Sequence, residues 1–227
     1  MKSDIHRPKK CVESGEVLRL TRRVMMKIYG HPSAINVQKV MWLIDELDLS
    51  IELDEVDIHH NAQDADALAQ KCPMRQVPVL EDGPNSVWES HTILRYLVAC
   101  YGNKMWYPDC AFQRSRYERW MDWCLSSFQP AVKTACLEAS SDLKVREAAL
   151  EQCRQDLEKL DNELAERRYL ISDMMTLADI AIGTVVHSLA VAPSMTLPPH
   201  VSQWYQQLKS SSGYQRWVVQ ARQTQPA

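Results

Sequence analysis

Beyond residue 25 the apolar residues change period twice, and each change marks an element. Met26-Lys27-Ile28-Tyr29-Gly30 is a short run ending in glycine, and Val37, Val40, Met41, Leu43, Ile44 and Leu47 then recur at helical spacing. A strand followed by a helix is expected. Ile51 to Ile58 alternates apolar and acidic residues as a half-buried strand does, and Ala62 to Lys71 has the pattern of a short, weak helix. Val77 to Glu81 and Asn85 to Trp88 flank Asp82-Gly83-Pro84, whose turn chemistry suits a hairpin, and Glu89 to Tyr101 reads as an amphipathic helix. The proline of Val77-Pro78 lacks the N–H that a ladder needs, which suits the start of an edge strand.

After Gly102 the strand signals stop. Lys104 to Cys110 reads as a linker, and Phe112 to Cys136 carries Tyr117, Trp120, Met121, Cys124 and Leu125 on one helical face, with a kink expected at Pro130. Leu150, Cys153, Leu157, Leu160 and Leu164 repeat at alternating three and four, which predicts a long bundle helix over 142–168. Thr176 with Asp179 three residues on is a capping-box variant, so that aspartate is expected to start a helix and not to catalyse. The order β-α-β-α-β-β-α followed by helices alone predicts an α/β thioredoxin-like N-terminal domain over 26–103 plus an all-α helical-bundle C-terminal domain over 110–222.

Composition narrows the function classes. The formal net charge of -3 leaves no global basic field to gather nucleic acid, and no apolar run suggests a membrane span. The seven cysteines are scattered and contain no C-x-x-C, which reads as reduced thiols in a cytoplasmic protein. No metal-ligand cluster stands out, so no metal is expected. Residues 1–25, basic at the start, are read as a disordered or mis-started extension, with a targeting peptide as the alternative.

The candidate chemistry lies in two segments. A cis bond at Val77-Pro78 would turn the backbone N–H and C=O of Val77 outward, where an extended chain could pair with them. At the start of the following helix, Ser90 offers a hydroxyl beside free backbone N–H groups and the positive end of the helix dipole, and Glu89 next to it can receive an ammonium. The implied guest carries a carboxylate and an amine on a strand-like backbone.

Taken together, Ile28-Tyr29-Gly30, Asn36-Val37-Gln38-Lys39-Val40, Trp42 to Leu47, Pro73 with Val77-Pro78-Val79-Leu80, Trp88 to Leu97, Arg119 to Trp123, Thr176 to Ile180 and Trp204-Tyr205 resemble the cytosolic glutathione transferases. The likeness is closest to bacterial members near the theta type. It implies glutathione as co-substrate, bound by Val77, Pro78, Glu89 and Ser90, with Gln63 and Arg75 where such proteins reach the glycyl carboxylate and His60 as a rival. It also implies a small electrophile in a pocket to which Trp123 contributes a wall, and a homodimer.

The resemblance breaks at the thiol. Members of the family often place a serine two residues before the position of Asn36, and here that residue is Ala34. Ser33 and Asn36 are therefore the two candidate catalytic donors to the sulfur, with helix-start N–H groups as a further source. Asn36 could instead cap its helix. Three functions follow: a glutathione transferase, which leads; a glutathione-dependent disulfide or peroxide reductase, favoured if Asn36 is the active group; and a non-catalytic glutathione-binding protein of the same fold.

Overall fold

The computed structural model describes residues 26–58, 61–137 and 142–221. The expected N-terminal extension and His60 lie outside the described residues. Strand β1, Met26–Tyr29, buries Ile28 completely and alternates in burial along its length. It pairs in parallel with β2, Ile51–Asp54, and antiparallel with β3, Val79–Asp82, which in turn pairs antiparallel with β4, Asn85–Trp88. The sheet order is β2-β1-β3-β4.

That order corrects one expectation. The strand after Val77-Pro78 lies inside the sheet, and the edges are β2 and β4. Proline is tolerated because pairing begins at Val79, opposite Tyr29 on one side and Trp88 on the other, so Pro78 stands before the first ladder bond. The β3–β4 hairpin closes through Gly83-Pro84. Gly83 has φ 59°, a conformation that a residue without Cβ adopts freely.

Helix α1, Ile35–Glu46, packs on α3, Ser90–Cys100, beneath the sheet and also against the helical half of the molecule. Residues Val37 through Ile44 are all buried, as expected of a helix covered on every side. Helix α2, Ala62–Ala69, is capped by the Asn61 side chain and belongs to a smaller core of Leu68, Cys72 and Val79.

The helical half begins with α4, Ala111–Trp123, which widens into a π turn at Cys124–Phe128, tightens to α5, Gln129–Val132, and widens again at Lys133–Leu137. Where a kink is expected at Pro130, the structure has a π turn on either side of a short α segment, with the helical path unbroken. Proline removes an N–H and its ring crowds the preceding turn; a π turn just before it supplies the slack, with Gln129 N–H bonding Cys124 C=O five residues back. Helix α6, Leu143–Leu164, starts on the Asp142 side chain and buries Cys153, Leu157, Leu160 and Leu164. It ends four residues before the predicted limit.

Helix α7, Leu177–Ala190, is enclosed by the others and starts with the predicted capping box. Asp179 is fully buried and accepts from Thr176 N–H at 2.8 Å, Thr176 Oγ1 at 2.8 Å, Leu170 N–H at 2.9 Å and Trp204 Nε1 at 3.0 Å. Burial pushes its pKa up while these donors oppose the shift. The carboxylate therefore ties α7 to the preceding loop and to α8, Pro199–Leu208.

The two halves meet chiefly on α1. Trp42 is wholly buried and meets Tyr214 edge-on, with centroids 4.7 Å apart, while the Tyr214 hydroxyl donates to Gly183 C=O at 2.9 Å. Gly213 permits this approach: a Cβ there would lie 3.0 Å from Trp42 Cδ1. Among the described residues, no helix is long and apolar enough to cross a membrane.

Thr176→Ala, which keeps the aspartate's other donors, should cost about 1 kcal/mol in urea unfolding. Asp179→Ala leaves several buried donors without an acceptor and should cost about 3 kcal/mol or more. Turnover per folded molecule should change little in Thr176→Ala.

Candidate functional site

Two short stretches of backbone build the site, the turn into β3 and the start of α3. The Val77-Pro78 bond is cis, as the sequence suggested, and Val77 makes no backbone hydrogen bond among the described residues. Its peptide groups are thus available to an extended partner.

Glu89 occupies the cap position of α3 with φ 70° and ψ 117°, a region costly for a residue with a side chain. Its carboxylate makes no cap bond and is exposed. This backbone turn carries the chain from β4 directly into the helix, so that Ser90 falls on the first helical residue. Ser90 is 1% exposed, and its Oγ has no hydrogen-bond partner among the described residues. A buried hydroxyl left unpaired beside free helix-start N–H groups is chemistry that suits an anion.

The other predicted residues are distributed unevenly. Gln63 lies in the first turn of α2, with its backbone N–H on the Asn61 side chain and its own side chain exposed. Arg75 has φ 51° and an exposed guanidinium 3.5 Å from Asp66, so its charge is shared with α2. Trp123 stacks on the buried Phe128 at 4.9 Å and meets Trp120 edge-on at 5.6 Å; it is half-buried at the end of α4. Cys124 is wholly buried with its thiol on Ala181 C=O, and burial raises its pKa while the nearby Lys39 opposes the rise. It is packing, not a nucleophile.

At the start of α1 the structure separates the two proposed sulfur donors. Nδ1 of His31 accepts the Ser33 backbone N–H at 3.3 Å and lies 2.7 Å from Ser33 Oγ. An imidazole nitrogen that accepts one N–H carries no proton, so the Ser33 hydroxyl donates to it and its hydrogen is committed. Asn36 does not cap α1; Ala34 holds the cap position and gives no side-chain bond. Asn36 Oδ1 instead accepts from Gln129 Nε2 at 3.1 Å, which leaves its NH2 as the group to offer elsewhere.

Behind Asn36 lies a group that the sequence reading did not single out. Lys39 is 0% exposed, with Nζ 2.6 Å from Gln129 Oε1, 3.2 Å from His91 Nε2 and 4.0 Å from Cys124 Sγ. Burial lowers the lysine's pKa, partly offset by Cys124. His91 is held well below its ordinary value, first by burial and then by Lys39 and Arg95. Its neutral ring accepts from Lys39 through Nε2, and Nδ1 sits beside the Met121 backbone without a hydrogen bond of full geometry. A charged residue inside an otherwise apolar helix face was the available signal, at Lys39 between Val37 and Val40.

Family models of the glutathione S-transferase N-terminal and C-terminal domains match residues 24–99 and 144–207. Glutathione S-transferase GstB of Escherichia coli strain K12 is 31% identical over 208 residues, which cover 86% of this chain and 98% of the relative. The chain belongs to the glutathione S-transferase family. A theta class glutathione S-transferase from the citrus canker pathogen Xanthomonas axonopodis pv. citri, solved with glutathione bound, superposes with a TM-score of 0.77 at 31% identity, covering 85% of this chain and 96% of that one. Glutathione S-transferase 3 of Zea mays is 26% identical over 213 residues, 86% of this chain and 93% of its own. Glutathione transferase F7 of Populus trichocarpa, at 21% identity and a TM-score of 0.77, shares the fold, covering 87% of this chain and 99% of its own.

Unfolding would let His91 take up a proton once the pH falls below about 6.5, whereas the folded ring stays neutral well below that. The stability it contributes is complete above that pH and is lost progressively as pH falls. Urea midpoints measured from about pH 7 to about pH 5 should therefore decline, and His91→Asn should flatten the slope.

Proposed function

We propose that this protein transfers glutathione to a small electrophile such as a halide, an epoxide or a conjugated carbonyl, with residues 26–103 carrying the tripeptide and 110–222 the electrophile pocket. The observation that carries the proposal is Ser90, a buried hydroxyl without a partner among the described residues, set at a helix start by the strained Glu89. The γ-glutamyl carboxylate sits on the Ser90 hydroxyl and the first N–H groups of α3, and its amine meets Glu89. The cysteinyl backbone pairs with Val77, presented by the turn at Pro78. Arg75 exchanges Asp66 for the glycyl carboxylate, with Gln63 beside it.

The reaction needs a thiolate. Lowering the thiol pKa by about two units corresponds to ~2.7 kcal/mol of preferential thiolate stabilisation, within the reach of one oriented amide donor and nearby helix-start N–H groups. Asn36 fills that role better than Ser33, because its NH2 is available while the Ser33 hydroxyl is taken by His31. The thiolate attacks the electrophilic carbon, the carbon–sulfur bond forms, and the leaving group departs or the ring opens. Trp123, stacked against Phe128, supplies an apolar wall for the electrophile.

The use of Asn36 also favours a second reading, in which glutathione reduces a disulfide or peroxide and is itself oxidised. A homodimer agrees with the exposed apolar side chains of Met74 and Trp88, which are 58% and 37% accessible. Cytoplasmic location agrees with the absence of any disulfide among the described residues.

Glutathione with an aromatic halide should give conjugate; oxidised glutathione formed with a disulfide or peroxide alone selects the second reading. Retention of glutathione without an ultraviolet thiolate band or turnover would leave a binding protein. Ser90→Ala should raise the glutathione KM by about tenfold or more, and an unchanged KM removes the anion seat. Asn36→Ala should raise the bound thiol's pKa by about one unit, while Ser33→Ala should leave it within a few tenths.

A further inference from the structure

We infer that Lys39 and Gln129 are positioning residues that hold the Asn36 amide with its NH2 toward the glutathione sulfur, so that thiol activation is set from the helical half of the molecule. The inference rests on the assignment of Asn36 as the sulfur's donor.

An asparagine amide has nearly the same shape either way round, yet its two ends act oppositely on a thiolate. The NH2 stabilises it, and the oxygen repels it. Something must choose the orientation, and the chain of contacts behind Asn36 does so from a fixed end. An ammonium has three N–H groups and no acceptor. The three groups around Lys39 Nζ are the matching acceptors: Gln129 Oε1, His91 Nε2 and Cys124 Sγ. The nearest, at 2.6 Å, obliges Gln129 to present its oxygen to the lysine and therefore its NH2 to the other side. There it donates to Asn36 Oδ1 at 3.1 Å. With that oxygen occupied, the NH2 of Asn36 is the end that remains.

The parts come from separate elements. Asn36 and Lys39 stand one turn apart on α1, His91 follows the Ser90 hydroxyl on α3, and Gln129 is the residue at which the π turn gives way to α5. One buried ammonium thus links the start of α3, where the carboxylate is seated, to the amide proposed to face the sulfur. Neither Lys39 nor Gln129 is offered as a group that touches substrate.

The test is a double-mutant cycle read by titrating the ultraviolet thiolate band of bound glutathione, with the glutathione KM measured alongside. Gln129→Leu releases the Asn36 amide and should raise the bound thiol's pKa by about half a unit, with KM within about twofold of the parent. Gln129→Glu retains the lysine contact but offers Asn36 an acceptor in place of a donor. It turns the amide round, and should raise the pKa by about one unit or more, reducing the thiolate fraction by about tenfold below that pKa. A packing role alone would make the isosteric change the milder one. In an Asn36→Ala background both Gln129 substitutions should lose their effect on the thiol, since the amide they orient is absent.

Full effects persisting in that background mean direct electrostatics and overturn the relay. If Asn36→Ala moves the pKa while neither Gln129 substitution does, the relay fails and the assignment of Asn36 stands. If Asn36→Ala itself leaves the pKa unmoved, the assignment fails and takes the relay with it. Should Gln129→Leu fold poorly because Lys39 loses its nearest acceptor, Gln129→Glu in the two backgrounds decides alone.

Discussion

A wholly buried lysine constrains this molecule more than any other single group. Taking an ammonium out of water costs several kcal/mol unless its protons are accepted, so every element that faces Lys39 is restricted in what it can present. Helix α3 supplies an imidazole kept neutral by burial and by the lysine itself, and the helical half supplies an amide oxygen and a thiol. Relative placement of α1, α3 and the turn at Gln129 is thereby fixed by a polar contact set whose partial loss would strand a charge. The apolar contact of Trp42 with Tyr214 joins α1 to a different part of the helical half, the turn at 212–214.

The second constraint is local. Glu89 holds a backbone conformation that its side chain disfavours, and the result is that Ser90 opens α3 immediately after β4 ends. Strain of one residue therefore accompanies the coincidence of hydroxyl, unpaired N–H groups and dipole on which the proposed anion seat relies. Beneath it, Ile93, Leu94 and Leu97 are wholly buried in the core that α3 shares with α1.

Much of this was legible in the chain. Period-two and helical spacings located the four strands and the main helices, and the Thr176-to-Asp179 spacing announced the box that starts α7. Ser90 and Glu89 were readable because a helix start follows directly on a hairpin. Other features depend on partners far apart in sequence. The neighbours of β3 are set by sheet order, which local pattern does not encode, and so a proline that hinted at an edge strand precedes a central one. The Asn36 side chain turned from capping to a contact 93 residues away, and the Ser33 hydroxyl is hydrogen-bonded to the neighbouring His31 ring. Asp179 looked like a cap alone; its bonds to Leu170 and Trp204 required the packed tertiary structure.

The π turn before Pro130 gives the fold an unusual kind of adjustability. Its five-residue hydrogen-bond span stores one residue beyond what an α-helix needs to cover the same rise. A deletion between Trp123 and Gln129 could be absorbed by reversion to ordinary helical spacing, which would leave the side chains before and after it facing the same cores. The length of the chain at this point can therefore vary by a residue without dislodging the packing on either side of it.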